Sequence, residues 1–76
     1  MAVFGVHQGK RYRATVSLGM LERFATNEMI ADRLRAAGFS EISVTGSGAT
    51  RLAEALWPGA DTSAELPTQI TEVIEL

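Results

Sequence analysis

The sequence predicts an α+β fold in which one main helix packs on one face of a small single-layer sheet. Apolar and polar side chains alternate over residues 10–18 and 41–45, which is the period-two pattern of half-buried strands. Between them, residues 28–37 repeat apolar side chains every three or four positions, as an amphipathic helix does. We therefore predict the order β-α-β-β with a short C-terminal strand. The alternative order is β-α-β-α-β, and the two differ in whether residues 50–57 form a strand or a helix.

The first clear element is a strand over residues 10–18. Its apolar side chains point to one face and its polar side chains to the other, and Gly19 ends the run. Residues 1–9, which end in Gln8-Gly9, form either a loose N-terminal arm or an edge strand. After Gly19, three apolar side chains predict a short helical turn: Met20, Leu21 and Phe24.

The main helix has a start signal and an end signal. Thr26 or Asn27 is the N-cap residue, since either side chain can accept a hydrogen bond from a free N–H of the first turn. Gly38 fits the left-handed position after the last turn, where Phe39 can fold back onto Leu34 in a Schellman arrangement. Because a strand follows at once, the strand–helix–strand run predicts a right-handed parallel unit.

The stretch VTGSGATRLAEALWPGAD, residues 44–61, has two interpretations. Strong helix formers over residues 51–56 favour a helix, whose start at Gly46–Gly48 would bind a phosphate. However, the third glycine of a dinucleotide fingerprint and the Gly-Lys-Ser/Thr of a phosphate loop are both missing. Two glycines around one serine also supply the positive φ angles of a hairpin turn, and we prefer the hairpin. Residues 57–61 then form a second turn before a last strand at 72–76.

The hairpin interpretation also predicts a contact surface. An unpaired carboxylate in the core is costly, so the side chain of Glu54 should point away from the helix. Because alternate residues of a strand share a face, Leu52 and Leu56 should point the same way. These two leucines then lie on an open sheet face, unless the C-terminal segment covers them. Trp57, beside Pro58-Gly59, either joins this surface or forms a lid on the core. The predicted interaction surface consists of Leu52, Leu56, Arg11, Arg13 and Trp57.

Length and composition limit the class of protein. Seventy-six residues with 46% hydrophobic and 21% charged side chains make one globular domain, residues 1–76. The chain has no cysteine, no secretory signal and no apolar run long enough to span a bilayer. We therefore expect a cytoplasmic protein, or a component of an assembled particle, without a membrane partner.

Charge is divided unevenly along the chain. Residues 1–51 hold seven basic and four acidic residues, a net +3, whereas residues 52–76 hold five acidic residues and no basic one, a net −5. This gradient disfavours a dedicated nucleic-acid binder, for which a dominant basic field is expected. Opposed basic and acidic patches favour self-association, in which Arg11 and Arg13 meet acids of the C-terminal half across a two-fold axis.

Nothing in the sequence predicts catalysis. His7 is the only histidine, and no local feature holds it rigidly beside a serine, as a catalytic triad requires. With one histidine and no cysteine, a structural zinc site lacks ligands, and the acids of the C-terminal half do not have the spacing of a calcium loop. We expect no enzymatic activity, no cofactor and no metal.

Part of the chain follows a residue order known from a protein family: Tyr12-Arg13…Val16, Ala31…Leu34…Ala37-Gly38-Phe39 and Thr50-Arg51. This order resembles a sporulation-related-repeat domain, a family that binds septal peptidoglycan and continues with a second helix and strand. The resemblance implies a glycan-binding role. The whole chain also resembles the short accessory proteins that bacteria and their phages encode as stand-alone reading frames.

Three functional hypotheses follow. The first is a small non-enzymatic protein-interaction or assembly module that associates with itself as a homodimer or with a protein partner. The second is a carbohydrate- or peptidoglycan-binding module that uses Trp57 and Arg51. The third is a single-stranded nucleic-acid binder that uses Tyr12, Arg11 and Arg13.

Overall fold

The structure, a computed structural model, describes residues 2–76 and confirms the α+β class. The described residues form six strands in two sheets, one α-helix and one short 3₁₀ helix. In chain order these are β1 (Ala2–Val6), β2 (Arg11–Ser17), the 3₁₀ helix (Glu22–Phe24), α1 (Asn27–Ala36), β3 (Ser40–Ser47), β4 (Thr50–Leu56), β5 (Thr62–Leu66) and β6 (Ile70–Glu75). Neither helix in residues 2–76 is long and apolar enough to cross a membrane.

The main sheet contains four strands in the order β3-β4-β2-β6, and each neighbouring pair is antiparallel. β2 and β3, which flank α1 in the sequence, run in the same direction because both pair antiparallel with β4. The predicted strand–helix–strand unit is therefore present in a split form, with β4 inserted between its two parallel strands.

Residues 50–56 form strand β4, as the hairpin interpretation predicts, and the helical alternative is wrong. Gly46 and Gly48 have φ angles of 97° and 73°, in the positive region that such a turn requires. β4 pairs with β3 on one side and with β2 on the other, so its backbone hydrogen bonds are satisfied without a helix. This two-sided pairing overrides the helical propensity of residues 51–56.

The prediction of a single-layer sheet is wrong, because β1 and β5 form a second, two-stranded antiparallel sheet. Residues 2–6 of the N-terminal arm therefore form a strand, residues 7–9 lie in the turn after it, and Met1 lies outside the described residues. The sequence does not predict β5, since only Ala64 and Leu66 alternate with polar residues in it. Both of these side chains are buried with Val6 of β1, so the second sheet contributes to the core.

One hydrophobic core joins the main sheet, α1 and the second sheet. β2 and β4 bury alternate residues on one face of the main sheet, as their period-two pattern predicts. The opposite face of the main sheet has no element packed on it within residues 2–76, and we call it the open face. The buried members of the core are Val6, Tyr12, Ala14, Val16, Ile30, Leu34, Phe39, Ala53, Ala55, Trp57, Ala64, Leu66 and Ile70.

The start of α1 is capped and is also tied to the hairpin. The Thr26 hydroxyl accepts a hydrogen bond from the N–H of Met29 at 3.1 Å, so Thr26 is the N-cap residue. Asn27, the other predicted cap, has a different role. Its side-chain amide donates to the carbonyl of Gly46 at 3.1 Å, which connects the first turn of α1 to the β3–β4 turn.

The end of α1 confirms the predicted Schellman arrangement. The N–H of Phe39 donates to the carbonyl of Leu34 at 3.2 Å, and the N–H of Gly38 donates to the carbonyl of Arg35 at 3.0 Å. Gly38 has a φ of 113°. A β-carbon at this position would lie 2.9 Å from two ring atoms of Trp57, so Gly38 is needed for space as well as for backbone conformation.

Comparing two glycine substitutions separates these two effects. Gly48→Ala should cost about 1 kcal/mol, because its φ is positive but no atom lies within 4 Å of the added β-carbon. Gly38→Ala should cost more, by roughly 1 kcal/mol or above, because the added methyl also overlaps Trp57. Urea unfolding of both variants measures the difference. Equal losses would show that the Trp57 ring moves aside freely.

Candidate protein interface

The open face carries four of the five predicted interaction residues in one group, namely Leu52, Leu56, Arg11 and Arg13. Cross-strand partners share a face of a sheet, and Arg13 of β2 lies opposite Glu54 of β4 and Ile74 of β6. On the same face, Leu52 of β4 is 39% exposed and Ile74 is 47% exposed. Leu56 is half-buried, opposite Arg11. Apolar side chains of β4 and β6 therefore lie on both sides of the arginines of β2.

Both arginines of the open face have acidic partners within the same chain. The guanidinium of Arg13 donates to the Glu54 carboxylate at 3.2 Å, and a guanidinium nitrogen of Arg11 lies 3.9 Å from the Glu41 carboxylate. The same chain thus supplies the acidic partners of Arg11 and Arg13. Acids of a second copy, across a two-fold axis, are not needed to neutralise the two arginines. This makes the open face nearly balanced in charge.

Trp57 does not lie on the open face. Residues 51, 53, 55 and 57 alternate onto the core side of the main sheet, so Trp57 is buried. Its ring meets the edge of Phe39 at a centroid distance of 5.0 Å, and its indole N–H donates to the carbonyl of Ala60 at 2.9 Å. The interpretation of Trp57 as a lid on the core agrees with this position, whereas a place on the interaction surface does not.

The residues named for glycan and nucleic-acid binding are largely inside the molecule. Arg51 and Trp57, the proposed glycan contacts, are both buried. Tyr12, the proposed stacking residue for a base, is buried as well, and its hydroxyl accepts a hydrogen bond from the N–H of His7 at 2.7 Å. The sporulation-related-repeat resemblance also implies a second helix before the last strand, but residues 62–66 form β5 there.

His7 forms an exposed pair with Asp61. Its Nδ1 lies 3.1 Å from one Asp61 oxygen, and the N–H of Gln8 donates to the other oxygen at 2.8 Å. The hydrogen bond from Gln8, which has the larger effect, and the contact with His7 both lower the pKa of the Asp61 carboxyl below its usual value. This contact joins the β1–β2 turn to the turn after β4. In the described residues, no group of three or more histidine or acidic side chains is placed to hold a metal ion.

A second exposed apolar surface lies around the 3₁₀ helix. Leu21 and Phe24 are 85% and 79% exposed, and Met20 and Met29 are also exposed. Leu21 and Met29 line a groove of about 330 Å³ beside α1, and Met20 and Phe24 belong to the chain segment next to it. Sequence reasoning predicts the helical turn here but not its exposure, because three apolar residues at helical spacing are usually covered.

Glu22 holds the segment at this groove in place. One carboxylate oxygen accepts a hydrogen bond from the N–H of Gly19 at 2.9 Å, and the other accepts one from the side-chain amide of Gln69. These two hydrogen bonds, of which the one from Gly19 has the larger effect, lower the pKa of the Glu22 carboxyl below its usual value. The 3₁₀ helix is thereby connected to the turn between β5 and β6.

Comparisons with protein-family models, with curated proteins and with solved structures find no match for this chain. The two exposed surfaces are therefore the features of the molecule that indicate a function.

The lowered pKa of Glu22 predicts a pH-dependent contribution to stability. The contribution is fully present above about pH 4.3, where the carboxyl of an unfolded chain is ionised, and it is lost as pH falls through the lower folded value. Glu22→Gln should therefore lower the unfolding temperature more at pH 6 than at pH 3, because the contribution of the ionised carboxylate decreases once the pH is below the unfolded value. Thermal unfolding by circular dichroism at both pH values measures this. The same loss at both would contradict the assigned bonds.

Proposed function

We propose that this protein is a non-enzymatic interaction module that self-associates through the open face of its main sheet. We place it in the cytoplasm or in an assembled particle, in keeping with a chain that has no cysteine. The observation that carries the proposal is the grouping of Leu52, Ile74 and the half-buried Leu56 around the paired arginines. No other element among residues 2–76 covers this group.

Burial of these side chains supplies the driving force. Removing apolar surface from water contributes about 25 cal/mol per Å². Leu76, which follows β6, is also exposed, and its N–H donates to the carbonyl of Arg11 at 2.8 Å, so it extends the apolar group along the same edge. The aliphatic stems of Arg11 and Arg13 lie between the apolar side chains and can be buried with them.

The charge of the open face favours a second copy as the partner. Two ion pairs within the chain, Arg13–Glu54 and Arg11–Glu41, neutralise the arginines of this face. The face therefore has no strong electrostatic field of either sign. A nucleic acid would need such a field. A self-complementary face, by contrast, can pack on its own copy across a two-fold axis without separating these pairs.

The size of the face sets the expected affinity. Four strands about 4.8 Å apart and about seven residues long, at about 3.4 Å per residue, give a face of roughly 19 by 24 Å, or about 450 Å², which is smaller than the patch of about 800 Å² per partner that stable complexes bury. We therefore expect a weak dimer, with a dissociation constant on the order of micromolar.

Replacing the two most exposed large apolar residues of the main sheet tests the proposal. Leu52→Ser combined with Ile74→Ser should give a folded monomer, because both side chains lie outside the core. Sedimentation velocity should show that the mass of the unchanged protein rises toward a dimer with concentration, while that of the double variant does not. Val3→Ser, at an exposed position of the second sheet, is the matched control and should dimerise normally.

Two outcomes would contradict the proposal. A chain that stays monomeric at millimolar concentration, or a double variant with unchanged self-association, would show that the open face is not the interface. An unfolded double variant would show that Leu52 and Ile74 support the core.

A further inference from the structure

We propose that the groove beside the 3₁₀ helix binds an amphipathic helix of a partner protein that carries acidic residues along its flanks. This groove is on the core side of the main sheet, whereas the proposed self-association uses the open face. The two surfaces can therefore be occupied at the same time, and each can be disrupted without the other.

The groove has an apolar floor and walls from three elements. Val16 of β2 and Ile70 of β6 form the floor, Met29 of α1 forms one wall and Leu21 forms another. Pro67, in the turn between β5 and β6, contributes to the far end. The volume of about 330 Å³ is sufficient for a few large apolar side chains.

The segment beside the groove, residues 20–24, is unusually apolar for a surface segment, and its Leu21 lines the groove. Met20, Leu21 and Phe24 are the three most exposed large apolar side chains of the described residues, and all three belong to one short segment. Met20 and Met29 add flexible side chains that can adapt to the shape of a partner, as methionines do in other helix-binding grooves. An exposed group of this kind marks a contact site more often than isolated apolar residues do.

The charges around the groove specify an acidic partner. Arg33 contributes to its lining, and Arg23 belongs to the 3₁₀ helix, where its guanidinium lies 5.8 Å from the centre of the Phe24 ring. Within residues 2–76, neither arginine forms an ion pair. Glu22, the carboxylate that contributes to the lining, accepts hydrogen bonds from the neutral donors of Gly19 and Gln69 and keeps its negative charge, so Arg23, Arg33 and Glu22 together carry a net charge of +1. Carboxylates of a partner would thus meet two arginines without acidic partners.

A helix suits this groove better than an extended peptide or a membrane. The floor and walls present side chains, so a partner must satisfy its own backbone hydrogen bonds, as a helix does. A lipid surface would be a poor partner, because the groove is concave and the chain has a net charge of −2, which anionic lipids repel.

A pair of designed helices tests the partner chemistry. The probe is a fluorescein-labelled helix of about 16 residues with leucines along one face and glutamates on both flanks. The comparison peptide has lysine in place of every glutamate. Fluorescence anisotropy should show that the glutamate helix binds about tenfold or more tightly than the lysine helix, and that salt reduces the difference.

Charge reversal tests the two arginines. Arg23→Glu combined with Arg33→Glu should reverse the preference, so that the lysine helix binds more tightly. Lys10→Glu combined with Arg35→Glu changes the net charge by the same amount at exposed positions that do not contribute to the groove, and it should keep the preference for the glutamate helix. Loss of preference in both variants would mean that only net charge matters and would overturn the site.

Replacing apolar side chains beside the groove separates this proposal from the self-association. Leu21→Ser combined with Phe24→Ser should abolish helix binding and leave dimer formation unchanged. Leu52→Ser combined with Ile74→Ser should abolish dimer formation and leave helix binding unchanged. Absence of glutamate-helix binding to the unchanged protein would overturn the proposal. So would tighter binding of decanoate, or of vesicles of anionic phospholipid, than of the glutamate helix.

Discussion

The buried guanidinium of Arg51 connects three parts of the molecule that the chain order separates. Arg51 is 5% exposed, and no carboxylate of residues 2–76 forms an ion pair with it. Its nitrogens donate to the carbonyl of Gly48 at 3.1 Å, the side-chain oxygen of Asn27 at 2.7 Å and the carbonyl of Arg23 at 2.9 Å. A buried charge is costly unless its donors are satisfied, so these three acceptors must stay in place together. The hairpin, the start of α1 and the 3₁₀ helix thereby form one unit.

The position of Arg51 also determines what the two faces of the main sheet present. Because β4 alternates, placing Arg51 on the core side puts Leu52 on the open face and Trp57 in the core. The same guanidinium holds the carbonyl of Arg23, next to Phe24 in the segment beside the groove. One strand thus supports both proposed surfaces: its outward side chains form part of the open face, and its inward arginine positions the segment beside the groove.

Sequence reasoning predicts the features that depend on local chemistry. The Schellman end of α1 follows from Gly38, and the exposure of Leu52 follows from the cost of burying Glu54. The second sheet could not be predicted in this way, because the pairing of β1 with β5 joins segments about sixty residues apart and neither has a strong alternating pattern. The hydrogen-bond partners of Arg51 could not be predicted from the sequence either, because two of them are backbone carbonyls, which every residue possesses.

The most direct test of this account is the mobility of the 3₁₀ helix in Arg51→Lys. Lysine keeps the charge and the aliphatic stem but cannot reach three separate acceptors at once. The {¹H}-¹⁵N heteronuclear NOE of Arg23 and Ala25 should fall in this variant, while that of β1 and β5, which Arg51 does not contact, should remain unchanged. If Arg23 and Ala25 stay as rigid as in the unchanged protein, Arg51 does not hold this segment, and the physical connection between the two surfaces is wrong.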